Sequence, residues 1–305
     1  MRNWDFLLNS ISVSISIIGF YFIAFQFTSK KILPGINALF PEQENRHYSF
    51  FFIVAVAWAI GTGLYGIIPV WSFFLNLPLQ TTIYLNGVVG LIGLIVCRNS
   101  LSEIKQRFKG LRFNYKLNKW EYVLAVYLLT IVGFYVYRVA IPWGDHDEVV
   151  LYGYVTKLIS QGLTHHNFLD LKMSSGYSVP SFLIQSTDAQ LFALINDTYL
   201  VRLMRFVNIL FCSLSIFNFL RLLNVNRIWS WVAIACFVST PELSYLATSL
   251  KIDSVMMMFE LNSLLMLVTA ILLYFKQAKS KNALLPAYYL STTALLLAIF
   301  SFGNR

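Results

Sequence analysis

Residues 142–152 read Pro142-Trp143-Gly144-Asp145-His146-Asp147-Glu148-Val149-Val150-Leu151-Tyr152, and they begin the longest polar segment of the chain. Three carboxylates and a histidine occupy four consecutive positions, directly after a long apolar run. On both sides of this segment, most of the sequence consists of apolar runs that are long enough to cross a bilayer. The sequence therefore predicts a membrane protein whose chemistry lies in one loop outside the bilayer.

The composition supports a membrane protein. Hydrophobic residues make up 57% of the 305 residues and charged residues 12%, whereas soluble domains carry about 25% charged residues. The net charge of +9 does not indicate a nucleic-acid partner, because the basic residues cluster between apolar runs, as topology signals do. Cys97, Cys212 and Cys236 fall within or at the ends of apolar runs, so we expect buried free thiols rather than disulfides.

The apolar runs predict an all-α polytopic protein with about eight transmembrane helices. The predicted spans are 6–28, 50–70, 79–97, 120–141, 199–221, 229–249, 254–275 and 284–302. Gly61, Gly63 and Gly66 in the second span predict close helix packing. We divide the chain into a three-helix extension with a basic loop, residues 1–119, and a membrane core, residues 120–305, which includes the outer loop 142–198.

The basic residues predict the orientation. Segment 98–119 contains seven Lys and Arg residues against the single acid Glu103, so we expect it on the cytoplasmic side, where it could also bind anionic lipid. Alternation of the spans then places loop 142–198, the turn at Lys251 and the last residue, Arg305, on the outer face.

Within the outer loop, Leu151, Val155 and Ile159 recur at helical spacing up to Gly162. This pattern predicts an amphipathic helix that lies on the membrane and ends at Gly162. A second short apolar helix is expected after Pro180. Two such interfacial helices would form a shallow vestibule at the outer surface.

Asp147 and Glu148 lie at the start of the first of these helices. Carboxylates at a helix start gain about 0.3–1 kcal/mol from the helix dipole, which explains one acid better than three adjacent ones. Neighbouring like charges raise one another's pKa and favour a shared proton or a bound cation. Two interpretations therefore remain open: the acids mark the start of a helix, or they form a functional cluster. His146 has no second histidine at ligand spacing, so zinc is not favoured.

A second group of charges lies near the outer turn that follows Pro241-Glu242. Asp253 and Glu260 are seven residues apart, so they share a helix face, and Lys251 lies just before them. Ionisable residues at membrane depth usually face the interior of the bundle or a wet cavity. Lys251 could pair with Asp253 or Glu242 for structural reasons, or this turn could face the same cavity as Asp147.

Arg202 and Arg205 form a third group, near the outer start of the fifth span, where they share a helix face. They could extend to the membrane surface by snorkelling. Alternatively, they could bind a phosphate, which arginine contacts in bidentate fashion. Arg305, on the same side, could join such a site.

The order and sidedness of these features resemble the GT-C superfamily of membrane glycosyltransferases, which includes protein O-mannosyltransferases and the lipid A aminoarabinose transferase. In that family, a large outer loop begins with Asp-Glu and has a tyrosine four residues later. The matching elements in this chain are Asp147-Glu148 with Tyr152, then Arg202 or Arg205 with Arg221, then Pro241 with Asp253, and finally Phe302-Gly303-Asn304-Arg305.

The resemblance implies a polyprenyl-phosphate sugar as donor and a glycan, lipid or protein as acceptor, with inversion at the anomeric carbon. It places the site on the outer face of the plasma membrane, the inner membrane in a bacterium. The implied catalytic residues are Asp147 as general base, Glu148 as its support and Asp253 as a second acidic contact. The implied phosphate and substrate ligands are Lys251, Arg202, Arg205, Arg305 and Tyr152. Asp147 and Asp253 are the expected ligands if a Mg²⁺ or Mn²⁺ ion is used.

The chain departs from the family pattern in two ways. Three helices precede the part that resembles the family, and the chain ends about where the family usually continues, so we expect either a fragment or truncated product, or a second membrane chain that completes the site. Two other functions stay open. The chain could transport or flip a lipid-linked sugar, with Glu242, Asp253 and Glu260 as the coupling path, or it could be an inactive or truncated membrane scaffold.

Overall fold

The computed structural model describes residues 3–41, 45–99, 102, 104–106, 117–141, 154–162, 182–195, 197–249, 251–277 and 284–302. Across these ranges all regular secondary structure is helical. In chain order the helices are α1 (Asn3–Phe27), a π-helical turn (Thr28–Ile32), α2 (Leu33–Leu39), α3 (Asn45–Phe74), α4 (Leu79–Val96), α5 (Lys119–Ala140), α6 (Tyr154–Ser160), α7 (Phe182–Ile195), α8 (Tyr199–Leu222), α9 (Arg227–Ser239), α10 (Pro241–Leu246), α11 (Asp253–Gln277) and α12 (Leu284–Phe302).

Six stretches in the described ranges are long and apolar enough to cross a membrane, which confirms a polytopic helical membrane protein. They are Trp4–Leu39, His47–Phe74, Leu79–Val96, Lys119–Ala140, Tyr199–Leu222 and Asp253–Lys276. Two shorter apolar stretches also occur. Arg227–Ser239 overlaps the first half of the predicted span 229–249, and Leu285–Ser301 lies within the predicted span 284–302, so the count of about eight spans stays a prediction. The 13 residues of α9 rise only about 20 Å, against a hydrocarbon core of about 30 Å.

The sixth predicted span is interrupted at Pro241, as the sequence indicates. Helix α9 ends at Ser239, and Thr240 has extended backbone angles (φ −62°, ψ 122°). Proline at the first position of α10 accounts for the break, because its ring disfavours helical angles in the preceding residue.

Helix α3 lies at the centre of the bundle and packs against α1, α4, α7, α8, α11 and α12. Phe52, Ile53 and Val56 are fully buried, because this helix is apolar on all sides and must be covered by other helices. The apolar core joins helices that are far apart in the sequence. The centroid of the Phe52 ring, for example, lies 5.8 Å from that of Phe219 in α8. The described helices of residues 1–119 and those of the following core thus share one apolar interior.

The predicted close packing at the glycines of α3 is confirmed. A Cβ atom at Gly63 would lie 2.2 Å from the ring of Phe300, and one at Gly66 would lie 2.7 Å from Leu183. A backbone-to-backbone contact between α1 and α4 was not predicted from the sequence. There, a Cβ atom at Gly90 would lie 2.6 Å from the Cα atom of Ser16. Backbones meet directly at this crossing, which is how helices pack closely in a bilayer.

The cysteine prediction is partly wrong. Cys97 and Cys212 are buried free thiols, as expected, but Cys236 is exposed. It lies on an outward face of α9, whose buried side is formed by residues such as Ile234 and Ala235. Apolar sequence alone does not distinguish a lipid-facing position from a buried one.

Replacement of Gly90 by alanine should destabilise the bundle, since the added methyl group meets the backbone of α1 rather than a flexible side chain. Overpacking of this kind costs about 1–3 kcal/mol. We expect a lower thermal midpoint for Gly90→Ala in detergent, measured by scanning fluorimetry.

Gly133→Ala is the matched control, because nothing lies within 4 Å of a Cβ atom at that position in α5. Alanine is favoured over glycine in a helix by up to about 1 kcal/mol, so this variant should be as stable as the parent chain or more stable. Equal midpoints for the two variants would show that the α1–α4 contact is loose.

Candidate functional site

Arg205 joins three parts of the bundle near the start of α8. It lies in the second turn of α8, and only 3% of its surface is exposed. Its guanidinium donates to the carboxylate of Asp188 in α7, and its Nε donates to the carbonyl oxygen of Lys251 at 3.1 Å. Arg205 therefore fixes both α7 and the turn before α11 to α8.

Arg202 lies one helical turn earlier and is equally buried. Its guanidinium donates to the carbonyl oxygen of Ile141, the last described residue before the acidic segment 142–152. The snorkelling interpretation of Arg202 and Arg205 is therefore wrong, because both side chains point into the protein. Phosphate binding by these arginines stays a prediction, although the charge of Arg205 is already balanced by Asp188.

Both Arg202 and Arg205 are positioned by the start of α8, where a side chain binds a backbone N–H group. Asp197 accepts a hydrogen bond from the backbone N–H of Tyr199 at 3.2 Å, which satisfies one of the N–H groups left without a partner at a helix start. Further along the buried face, the indole of Trp58 in α3 donates to Asn208 at 2.8 Å. A polar stripe thus runs down the buried side of α8, and its members bind protein groups.

Helix α7 is the second helix predicted in the outer loop, and its existence is confirmed. Its predicted position on the bundle surface is wrong, since its polar residues Gln185, Ser186, Thr187, Asp188 and Gln190 are all buried. The reason is hydrogen bonding inside the bundle. Besides the Asp188–Arg205 pair, the amide oxygen of Gln190 accepts from the hydroxyl of Tyr65 at 3.1 Å and from Asn86 at 3.3 Å.

Helix α6 is the first predicted helix of that loop. It ends at Ser160, and Gly162 follows with φ +103°, a conformation that favours glycine. The predicted end at Gly162 is confirmed. Val155 and Ile159 are buried in a small cluster with Phe73 of α3 and Ala189 of α7, so the apolar face of α6 packs on protein.

The residues of the outer turn near Pro241 are more accessible than the arginines. The ammonium of Lys251 lies 4.8 Å from the ring centroid of Tyr245, a cation–π distance. Asp253 begins α11 with an exposed side chain, and Glu242 is exposed at the start of α10. Glu260, also exposed, accepts a hydrogen bond from Ser301 of α12 at 2.9 Å.

The acidic segment itself lies outside the described residues, and so do several predicted site residues: Asp145, His146, Asp147, Glu148, Tyr152 and Arg305. Ile141 is the last described residue before this segment, and Asp253 follows Lys251 by two residues. Ile141 and Lys251 are bound by arginines one helical turn apart on α8. In the described ranges no three His, Cys, Asp or Glu side chains form a metal-binding group.

The pairing of Asp188 with Arg205 was not predicted from the sequence. Two features of the sequence nevertheless indicate it. Two arginines on the side where basic residues are disfavoured need a counter-charge, and Asp188 lies inside a short polar run that interrupts an apolar helix. Burial raises the pKa of Asp188 to about 6, and the charge and hydrogen bond of Arg205 lower it only in part.

Comparison of this chain with protein-family models, with curated proteins and with solved structures finds no match.

Removal of Arg205 should destabilise the protein strongly. Arg205→Met leaves the buried carboxylate of Asp188 without its partner, which typically costs about 3–5 kcal/mol. The double variant Asp188→Leu/Arg205→Met, which removes both charges, should recover most of that loss. Chemical or thermal unfolding in detergent, analysed as a double-mutant cycle, measures both effects.

The matched control is the second ion pair, between Arg227 of α9 and Glu121 of α5. Its arginine side chain is 26% exposed, against 3% for Arg205. Water can replace part of that interaction, so Arg227→Met should cost clearly less. A loss equal to that of Arg205→Met would mean that burial does not set the strength of the Asp188–Arg205 pair.

The raised pKa of Asp188 predicts a pH dependence of stability. A carboxyl group whose pKa rises from 3.8 to about 6 on folding binds its proton more tightly in the folded chain. Its contribution to stability is therefore fully present below about pH 4 and is lost as the pH rises through about 6, by roughly 3 kcal/mol. Unfolding of the parent chain between pH 4 and 7 should show this decrease, and Asp188→Asn should lack it. The same pH dependence in both proteins would contradict the assignment to Asp188.

Proposed function

We propose that this chain is a membrane glycosyltransferase that transfers a sugar from a polyprenyl-phosphate donor to an acceptor hydroxyl at the outer face. One observation carries the proposal beyond the order of residues in the sequence. Arg202 and Arg205 bind the carbonyl groups of Ile141 and Lys251, and these residues lead directly into Asp147 and Asp253. This supports a site in which the two aspartates approach each other.

In the proposed reaction, the acceptor oxygen attacks the anomeric carbon from the face opposite the phosphate. The new C–O bond forms as the bond to the phosphate oxygen breaks, so the configuration inverts and polyprenyl phosphate leaves. Asp147 takes the proton of the acceptor hydroxyl, and Glu148 supports Asp147. Tyr152 and Asp253 contact substrate.

Cationic groups would balance the charge that develops on the leaving phosphate. Lys251 and Arg305 are assigned this function. Where a metal is used, Asp147 and Asp253 would hold Mg²⁺ or Mn²⁺, which would supply further positive charge. Arg202 and Arg205 are assigned as positioning residues, because their guanidinium groups bind protein groups. They hold in place the chain segments that carry the aspartates.

The transporter alternative is favoured by a different observation. The helix break at Thr240 and Pro241 is a feature of transporters, and Glu242, Asp253 and Glu260 are exposed near or beyond it. In that function the three carboxylates would bind the coupling ion, and the sugar–phosphate bond would stay intact.

The direct test is transfer of a labelled sugar from polyprenyl phosphate by the purified chain in lipid nanodiscs. Loss of a general base reduces the rate by about 10²–10⁴-fold, so Asp147→Asn should fall by that factor. Asp5→Asn, which removes an exposed acid at the other end of the chain, is the matched control and should keep the parent rate.

The outcomes separate the alternatives. Equal transfer by the parent chain and Asp147→Asn would remove Asp147 from its catalytic function. Movement of the labelled lipid across a vesicle membrane without a new glycosidic bond would favour transport. Neither activity, with a stable partner chain copurifying, would favour a scaffold.

A further inference from the structure

A groove opens at the end of the bundle opposite to Arg205. It lies between the ends of α2, α8 and α11 and has a volume of about 570 Å³, within the range of about 300–1,000 Å³ that is typical of sites for small ligands. Its wall is largely apolar and is formed mainly by Leu39, Leu222, Leu223, Leu272, Phe275 and Lys276. The groove therefore suits a hydrocarbon chain.

The rim of the groove is partly exposed. Leu39 and Leu222 are buried at its base, whereas Phe275 is 74% exposed and Leu223 is 40% exposed. Both exposed side chains lie in or just after the last turn of helices that are long enough to cross the bilayer. The groove is thus at the depth where hydrocarbon meets lipid head groups.

A cation stands at the edge of this apolar wall. Lys276 lies in the last turn of α11, and its ammonium donates to the carbonyl oxygen of Leu39. An ammonium group carries three N–H donors, so contact with a ligand phosphate is compatible with that bond. One end of the groove therefore offers positive charge and the rest offers apolar surface.

The described part of this end of the bundle is basic. Segments 28–41, 97–99, 104–106, 117–121, 221–227 and 276–277 contain eight Lys and Arg residues and one acid, Glu121. That acid is paired with Arg227 at 2.5 Å. The potential at this surface attracts anions, and the membrane surface supplies them as lipid head groups.

We propose that the groove binds an anionic phospholipid, with an acyl chain along Leu222 and Leu272 and the phosphate at Lys276. An amphiphile explains both halves of the site, whereas a free phosphate would leave the apolar wall without a function. The proposal does not depend on the proposed glycosyl transfer, because the groove and Arg205 lie at opposite ends of the bundle.

The test is native mass spectrometry of the full chain in detergent, with phosphatidylglycerol or phosphatidylcholine added at equal concentration. Phosphatidylglycerol should bind more tightly. Lys276→Gln should weaken its binding about fivefold, the effect of about one basic residue near an anionic head group. Leu272→Trp, which fills the groove, should weaken it as well.

Two variants serve as controls. Lys276→Arg keeps the positive charge and should keep phosphatidylglycerol binding. This variant distinguishes loss of the charge that contacts the phosphate from disruption of the fold. Lys119→Gln removes an exposed cation at the same end but outside the groove, and it should bind like the parent chain.

Three results would overturn the proposal. If Lys276→Gln and Lys119→Gln weaken phosphatidylglycerol binding equally, the lipid is attracted by the basic surface as a whole and not by the groove. Unchanged binding by Leu272→Trp would mean that no acyl chain enters the groove. Displacement of phosphatidylglycerol by millimolar glycerol phosphate would assign the site to a free phosphate.

Discussion

The buried pair of Asp188 and Arg205 is the interaction on which the half of the bundle around the start of α8 depends. Two charges removed from water cost several kcal/mol each unless they meet with good geometry and further hydrogen bonds. Arg205 meets both conditions, because it contacts the carboxylate and also donates to the carbonyl of Lys251. The pair therefore holds α7 inside the bundle and fixes the start of α11, the two elements that flank the proposed site.

The rest of the bundle is held by close contact rather than by charge. Lipid tails are as apolar as the helices, so association in a bilayer depends on packing and on polar contacts. The backbones of α1 and α4 meet at Gly19 and Gly90. In α3, the ring of Phe300 packs on Gly63 and the side chain of Leu183 packs on Gly66. Tyr65, Asn86 and Gln190 add hydrogen bonds that join α3, α4 and α7.

The two ends of the bundle differ in charge, and the proposed functions follow this difference. Among the described residues, basic side chains dominate the end with the apolar groove at Lys276, as the proposed binding of an anionic lipid requires. At the other end the cations of α8 are buried and bound to protein groups, and Asp253 and Glu242 are exposed. That end exposes carboxylates, and the proposed proton transfer from an acceptor hydroxyl would use such groups.

Helix positions could be predicted from the sequence because they follow from local chemistry. Apolar length predicts the spans, Pro241 breaks a helix through its own ring, and Gly162 ends α6 through its positive φ. The partners of Arg202 and Arg205 could not be predicted in this way, since a long flexible side chain can reach several helices or the membrane surface. Burial of α7 depends on Asp188 meeting an arginine 17 residues later. Only the tertiary structure decides such contacts, because the cost of burying a charge depends on which partner the packing of the whole bundle places beside it.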